Sequence, residues 1–139
     1  RRVTASGMKL SMMIILGLAG AEGSERHALA TAKAINIIKP THLSALCLML
    51  YRGSELLDQY EAGKFNPLSP AGLMRELKLI IENIDLPADR HCLFRSNHVS
   101  NYVQLAATLP HDKQRLLRDI DYSIAQLSKL KSWDVYNYN

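Results

Sequence analysis

The sequence predicts an α/β fold in which about three parallel strands alternate with helices in an open arc. Three observations predict it. Short apolar runs recur at Leu10–Leu18, His42–Leu50 and Arg90–Arg95, and amphipathic helical patterns lie between them. From Leu10 to His42 is 32 residues, about the span of one βαβ unit. At 139 residues the chain is one domain's worth, long enough to bury a core without disulfides or a structural metal. It is too short to close a (β/α)8 barrel, which takes about 250 residues.

The first run, Leu10–Leu18, carries no charge, the composition of a strand covered on both faces in a parallel sheet. Gly17, Gly20 and Gly23 end it, Ser24 offers an N-cap, and Glu25 sets a negative charge in the first turn of the helix that follows. That helix puts Ala28, Ala32, Ile35 and Ile38 on one face and stops at Lys39-Pro40. The second strand is His42–Leu50. After Tyr51-Arg52-Gly53-Ser54, a short helix is expected over Glu55–Glu61, ending at Gly63. Ser69-Pro70 reads as an N-cap followed by proline at the first helical position. Leu73, Met74, Leu77, Ile80, Ile81 and Ile84 then form one apolar stripe, closed by Leu86-Pro87.

The third strand, about Arg90–Arg95, leads into the polar loop Ser96–Tyr102. A last helix begins near Pro110 with Leu116, Leu117, Ile120, Ile124 and Leu127 on one side, and Trp133–Asn139 is expected to be loosely held. No repeat, linker or low-complexity tract divides the chain, so 1–139 reads as one domain.

The composition, 47% hydrophobic and 22% charged, excludes a disordered tail or a fibrous repeat. The net charge is +4, but the basic residues are scattered and form no stripe interleaved with aromatics, so no nucleic-acid partner is expected. The longest apolar stretch, Met12 to Ala21, is half of the roughly 20 residues a spanning helix needs, and no membrane partner is expected. Cys47 and Cys92 sit inside apolar runs and read as small buried hydrophobes in a cytoplasmic setting. The chain opens on Arg1-Arg2-Val3 and is expected to be a piece of a longer polypeptide.

Ligands of parallel α/β sheets gather at the carboxyl ends of the strands, here Gly17–Ser24, Tyr51–Glu55 and Ser96–Tyr102. The first loop has glycines before a helix but matches neither G-x-G-x-x-G nor the P-loop pattern, and it reads as a tight turn before a phosphate cradle. In the third, Arg95, Ser96, Asn97, His98, Ser100 and Asn101 crowd together after a buried strand. Turn chemistry explains the Asn and Ser residues but not Arg95 together with His98, so a polar ligand is a competing explanation. His27 and His111, placed in first helical turns, and His42 and His91 show no ligand spacing. The two cysteines stand 45 apart, so no metal site is expected. No G-x-S-x-G elbow is present.

Three segments together resemble a known family. Gly7-Met8-Lys9-Leu10-Ser11 running into Ile14–Gly20, then Leu48–Leu56, resemble the C-terminal half of the radical S-adenosylmethionine core, where strands end in "iiGlpGE" and "lpGTpLy". Phe94–Tyr102 is similar to the "FRSNHASNY" element of an Fe–S oxidoreductase subgroup. The resemblance covers about residues 5 to 125.

It implies a partial (β/α) barrel fragment, with S-adenosylmethionine and a [4Fe–4S] cluster as cofactors of the full-length parent and a radical that abstracts a substrate hydrogen. It implies that Ile15, Gly17, Gly20 and Glu22 lie on the cofactor side. Arg95 and His98 would handle charge and protons, while Ser96, Asn97, Ser100 and Asn101 position substrate. The family's C-x3-C-x2-C loop is absent, and Ala19 and Ala21 replace the usual proline and glutamate spacing. The chain alone is therefore expected to hold no cluster, to be inactive, and to need a missing N-terminal half as partner. Exposed sheet edges would then favour self-association. The alternatives are a non-catalytic α/β module that binds a nucleotide or protein, and a scaffold segment whose polar loop only knits turns together.

Overall fold

The computed structural model describes residues 6–129. Four strands form one sheet in chain order: β1 (Ser11–Leu16), β2 (His42–Cys47), β3 (Cys92–Ser96) and β4 (Leu105–Leu109). The helices are α1 (Gly20–Ile38), α2 (Glu55–Glu61), α3 (Pro70–Asn83) and α4 (Lys113–Leu127). β1, β2 and β3 run parallel, joined by α1 and then by α2 with α3. The expected loosely held segment Trp133–Asn139 lies outside the described residues.

β4 corrects the expectation of about three strands, all parallel. Residues 97–104 are too few for a helical crossover, so the chain returns beside β3 antiparallel, Cys92 against Leu109 and Ser96 against Leu105. The first two strands are shorter than expected, ending at Leu16 and Cys47, and the third strand and the last helix start at Cys92 and Lys113. The first helix begins earlier than expected, at Gly20, with Ala19 and not Ser24 in the capping position. His27 consequently lies well inside α1, and His111 lies before α4, so neither is in a first turn.

The signals that held are local ones. Ser54 accepts the Leu57 amide at 3.3 Å and Ser69 accepts the Gly72 amide at 3.1 Å, each satisfying a donor that the helix leaves unpaired. Pro70 follows as the first residue of α3, where its missing N–H costs nothing.

A second correction concerns coverage. The uncharged first run predicts burial on both faces, yet β1 alternates, with Ile14 and Leu16 buried while Met13 is 72% and Ile15 42% exposed. α1, α3 and α4 pack side by side as one layer on a single face. Leu16, Leu43, Phe94, Leu109, Met74, Leu77, Ile80, Leu116 and Ile120 form the core between sheet and helices. The opposite face carries Met13 beside Ser44, Ser44 beside Arg95, and Arg95 beside Ala106. Among the described residues no helix is long and apolar enough to cross a membrane.

The outer edge of β4 is closed by side chains. The Thr108 amide donates to Asp112 Oδ2 at 2.8 Å, Arg115 donates to the Ala106 carbonyl at 3.0 Å, and Arg115 pairs with Asp112 at 3.2 Å. The Thr108 amide and then Arg115 hold the Asp112 carboxyl below its ordinary value.

Phe94 is fully buried at the sheet's centre. Phe94→Ala is expected to lower unfolding free energy by about 3–5 kcal/mol, measured by urea titration. Because the Asp112 pKa is depressed, its stabilisation is present above the unfolded carboxylate pKa and lost as pH falls through the lower folded value. Asp112→Asn is expected to flatten this acid limb in melting curves collected from neutral to acidic pH.

Candidate functional site

The β1–α1 turn is fastened by a carboxylate from α3. Glu76 is 3% exposed. Its Oε1 accepts the Gly17 amide at 2.9 Å and lies 3.0 Å from His27 Nδ1, while Oε2 accepts the Ser24 hydroxyl. A buried charge persists only when it is hydrogen-bonded in this way. Gly17 has a positive φ of 82°, which calls for glycine, and a Cβ there would also sit 2.7 Å from the end of the Leu73 side chain.

Three residues further on, a Cβ on Gly20 would meet the Asn66 carbonyl at 3.0 Å. The Gly20 amide donates to the Gly17 carbonyl and the Ala21 amide to the Asn66 carbonyl. Glu22 Oε1 accepts from the Asn66 side chain at 3.2 Å. These amides are internally engaged, which is the tight turn and not an anion cradle. A hollow of about 520 Å3 opens beside Ser24 and Glu76, between the starts of α1 and α3.

The polar loop after β3 is tied to the end of β2. Ser100 Oγ accepts the Cys47 amide at 3.1 Å, and Asn101 donates to the Ala45 carbonyl at 2.9 Å and to Ser96 Oγ. The Ser100 amide donates to His98 Nδ1 at 3.1 Å, which puts the proton of the neutral imidazole on Nε2. Ser100 Oγ lies 2.8 Å from the same Nδ1. Ser96 is buried on the helix side, whereas Asn97 and His98 are exposed. Arg95 stands on the open sheet face, where its guanidinium donates to the Phe94 carbonyl at 2.7 Å.

At the carboxyl ends of the parallel strands, these pieces enclose a cleft of about 180 Å3. Ile15, Leu46, Leu48 and Tyr51 supply apolar walls, and His98 and Ser100 supply the polar side. Ligand sites usually measure about 300–1,000 Å3, so this cleft has room for no more than one end of a ligand of that size. The structure thus brings Ile15, His98 and Ser100 together. It sets Arg95 on the open face outside the cleft lining, uses Ser96 and Asn101 as internal ties, and keeps Gly17, Gly20 and Glu22 around Glu76 and Asn66. The thiols of Cys47 and Cys92 are pushed up to about 11 by burial, so neither is a nucleophile near neutral pH.

Glu76 and Leu46 were not among the sequence candidates, and Tyr51 entered only as the first residue of the Tyr51–Glu55 segment. Glu76 does leave a signal, because it interrupts the apolar stripe of α3 between Leu73 and Leu77, where a charge is unexpected. Leu46 leaves none, since an apolar residue inside a strand is unremarkable in sequence.

Removing the carboxylate by Glu76→Ala strands the buried Gly17 amide and takes the acceptor from half-buried His27. A loss of about 3 kcal/mol is expected in urea unfolding, and Glu76→Gln is expected to lose less because an amide oxygen still accepts. No family model, curated protein or solved structure matches this chain, so the case for its chemistry rests on its own residues.

Proposed function

We propose that the chain is the C-terminal portion of the core of a radical S-adenosylmethionine iron–sulfur oxidoreductase, a partial (β/α) barrel segment that lines the cofactor and substrate side. The observation that carries this reading is the apolar cleft on the uncovered sheet face, where Ile15 meets His98 at the carboxyl ends of parallel strands. A barrel turns that face inward and uses that end for its chemistry. The motif order along the chain supports the same reading.

The residues present do not fit the cluster. Cys47 ends β2 whereas Cys92 begins β3, and the parallel register sets these two positions at opposite ends of the sheet. Two separated thiols cannot replace the clustered thiolates that an Fe–S centre needs. The cluster therefore falls to the N-terminal half of the same core, which is the partner in this reading. In this reading the enzyme is cytoplasmic, and a chain standing alone associates with copies of itself.

The cleft does fit one end of the cofactor. Ile15, Leu46 and Tyr51 offer apolar contact to a ring, and His98, whose Nδ1 accepts from Ser100, offers its Nε2–H as a donor. When bound, the cofactor supplies a radical that removes a hydrogen atom from substrate. His98 orients the ligand, Ser100 holds His98, and Arg95 and Asn97 are left to face substrate. A second reading, a scaffold segment whose polar loop only knits turns together, is favoured by the internal bonding of Ser96, Ser100 and Asn101; a third is a non-catalytic module that binds a nucleotide or protein.

The deciding experiment joins this chain to the segment encoded before it and incubates the product with S-adenosylmethionine and a reductant. Formation of 5′-deoxyadenosine is expected, slowed at least about tenfold by His98→Ala. Absence of cleavage by a cluster-loaded protein would overturn the enzyme reading, and nucleotide binding without cleavage would favour the module.

A further inference from the structure

The antiparallel return from β3 to β4 brings two histidines into contact at the end of the sheet opposite the cleft. His91 immediately precedes β3, and His111 lies just past the end of β4. Cys92 pairs with Leu109, so the ladder delivers both residues to the same end of the hairpin. Their rings stack with centroids 5.1 Å apart and planes at 28°. Both residues are exposed. No short motif announces the pair, because the fold alone joins it.

The backbone that carries each ring is pinned. The Arg90 amide donates to the Pro87 carbonyl at 2.9 Å just before His91, and the Asp112 amide donates to the Thr108 carbonyl at 2.8 Å just after His111. The Asp112 carboxylate, held by the Thr108 amide and Arg115, lies near enough to His111 for opposite charges to attract, so the local field favours a cation. Lys113 is turned away, since its ammonium donates to the Glu82 and Ile84 carbonyls.

Two neutral imidazoles held side by side suit a divalent ion of borderline softness. A tetrahedral zinc ion takes ring nitrogens at about 2.0–2.1 Å, and with each ring centre roughly 1.2 Å further back the two centroids fall about 5 Å apart. The observed 5.1 Å matches that separation, which leaves side-chain rotation as the adjustment needed. We propose that His91 and His111 form a two-histidine site for a zinc-like divalent cation, which ties the start of β3 to the end of β4. Among the described residues no group of three or more His, Cys, Asp or Glu could hold a metal, so water completes the coordination. The site lies away from the cleft and is independent of the cofactor reading.

Titration of the chain with zinc chloride in a calorimeter is expected to show one saturable site, and zinc is expected to raise the urea midpoint because the folded chain alone presents both rings. His91→Ala and His111→Ala are each expected to weaken binding at least about tenfold with an unchanged circular dichroism spectrum, and the double variant to lose little more, because a chelate fails when either arm is removed. His98→Ala, at the other end of β3, is expected to leave zinc binding intact. Copper(II) is expected to show two nitrogen couplings in its electron paramagnetic resonance spectrum. No saturable zinc binding at millimolar concentration, binding that survives either substitution, or an equal loss in His98→Ala would overturn the proposal.

Discussion

A carboxylate taken out of water must be surrounded by donors, and Glu76 finds them in parts of the chain more than forty residues away. Gly17 closes β1, Ser24 and His27 belong to α1, and Glu76 sits on α3, so one side chain joins a strand, a turn and two helices. The turn could not take this path without Gly17, whose positive φ directs the amide at the carboxylate. The position of Ile15, two residues earlier, depends on the same fastening. The walls of the cleft are in this sense set from the far side of the sheet.

The cleft has a complementary support on β2. Ser100 reads the end of that strand through the Cys47 amide and passes its position to His98, while Asn101 holds the Ala45 carbonyl. A loop that looks chemically crowded in sequence is mostly a clamp, and the group it presents is one imidazole nitrogen. Economy of this kind is common where rigid backbone contacts must orient a single functional side chain.

Much of the fold was legible because its signals are local. Ser69-Pro70 and the stripe from Leu73 to Ile81 mark α3 through capping and periodicity that need no tertiary context. β4 was not legible: Leu105-Ala106-Ala107-Thr108-Leu109 has little β-branched or aromatic character, and its pairing depends on the short return from β3. Coverage of β1 was misjudged because an uncharged run says that both faces tolerate burial, not that both receive it. Of the site, the polar residues were visible as types, but their division into ties and presented groups depends on which way each strand residue points. Ser96 and Arg95 differ by one position and lie on opposite faces.

The charged seal on β4 has a consequence for how large any assembly of this protein can become. Fibres grow because each added strand exposes a fresh template identical to the last one. Here elongation past β4 meets Asp112 and Arg115, which already hold the outward groups of Thr108 and Ala106, and halts. A sheet shut on its β4 flank is self-limiting on that side, which removes one path to unlimited stacking.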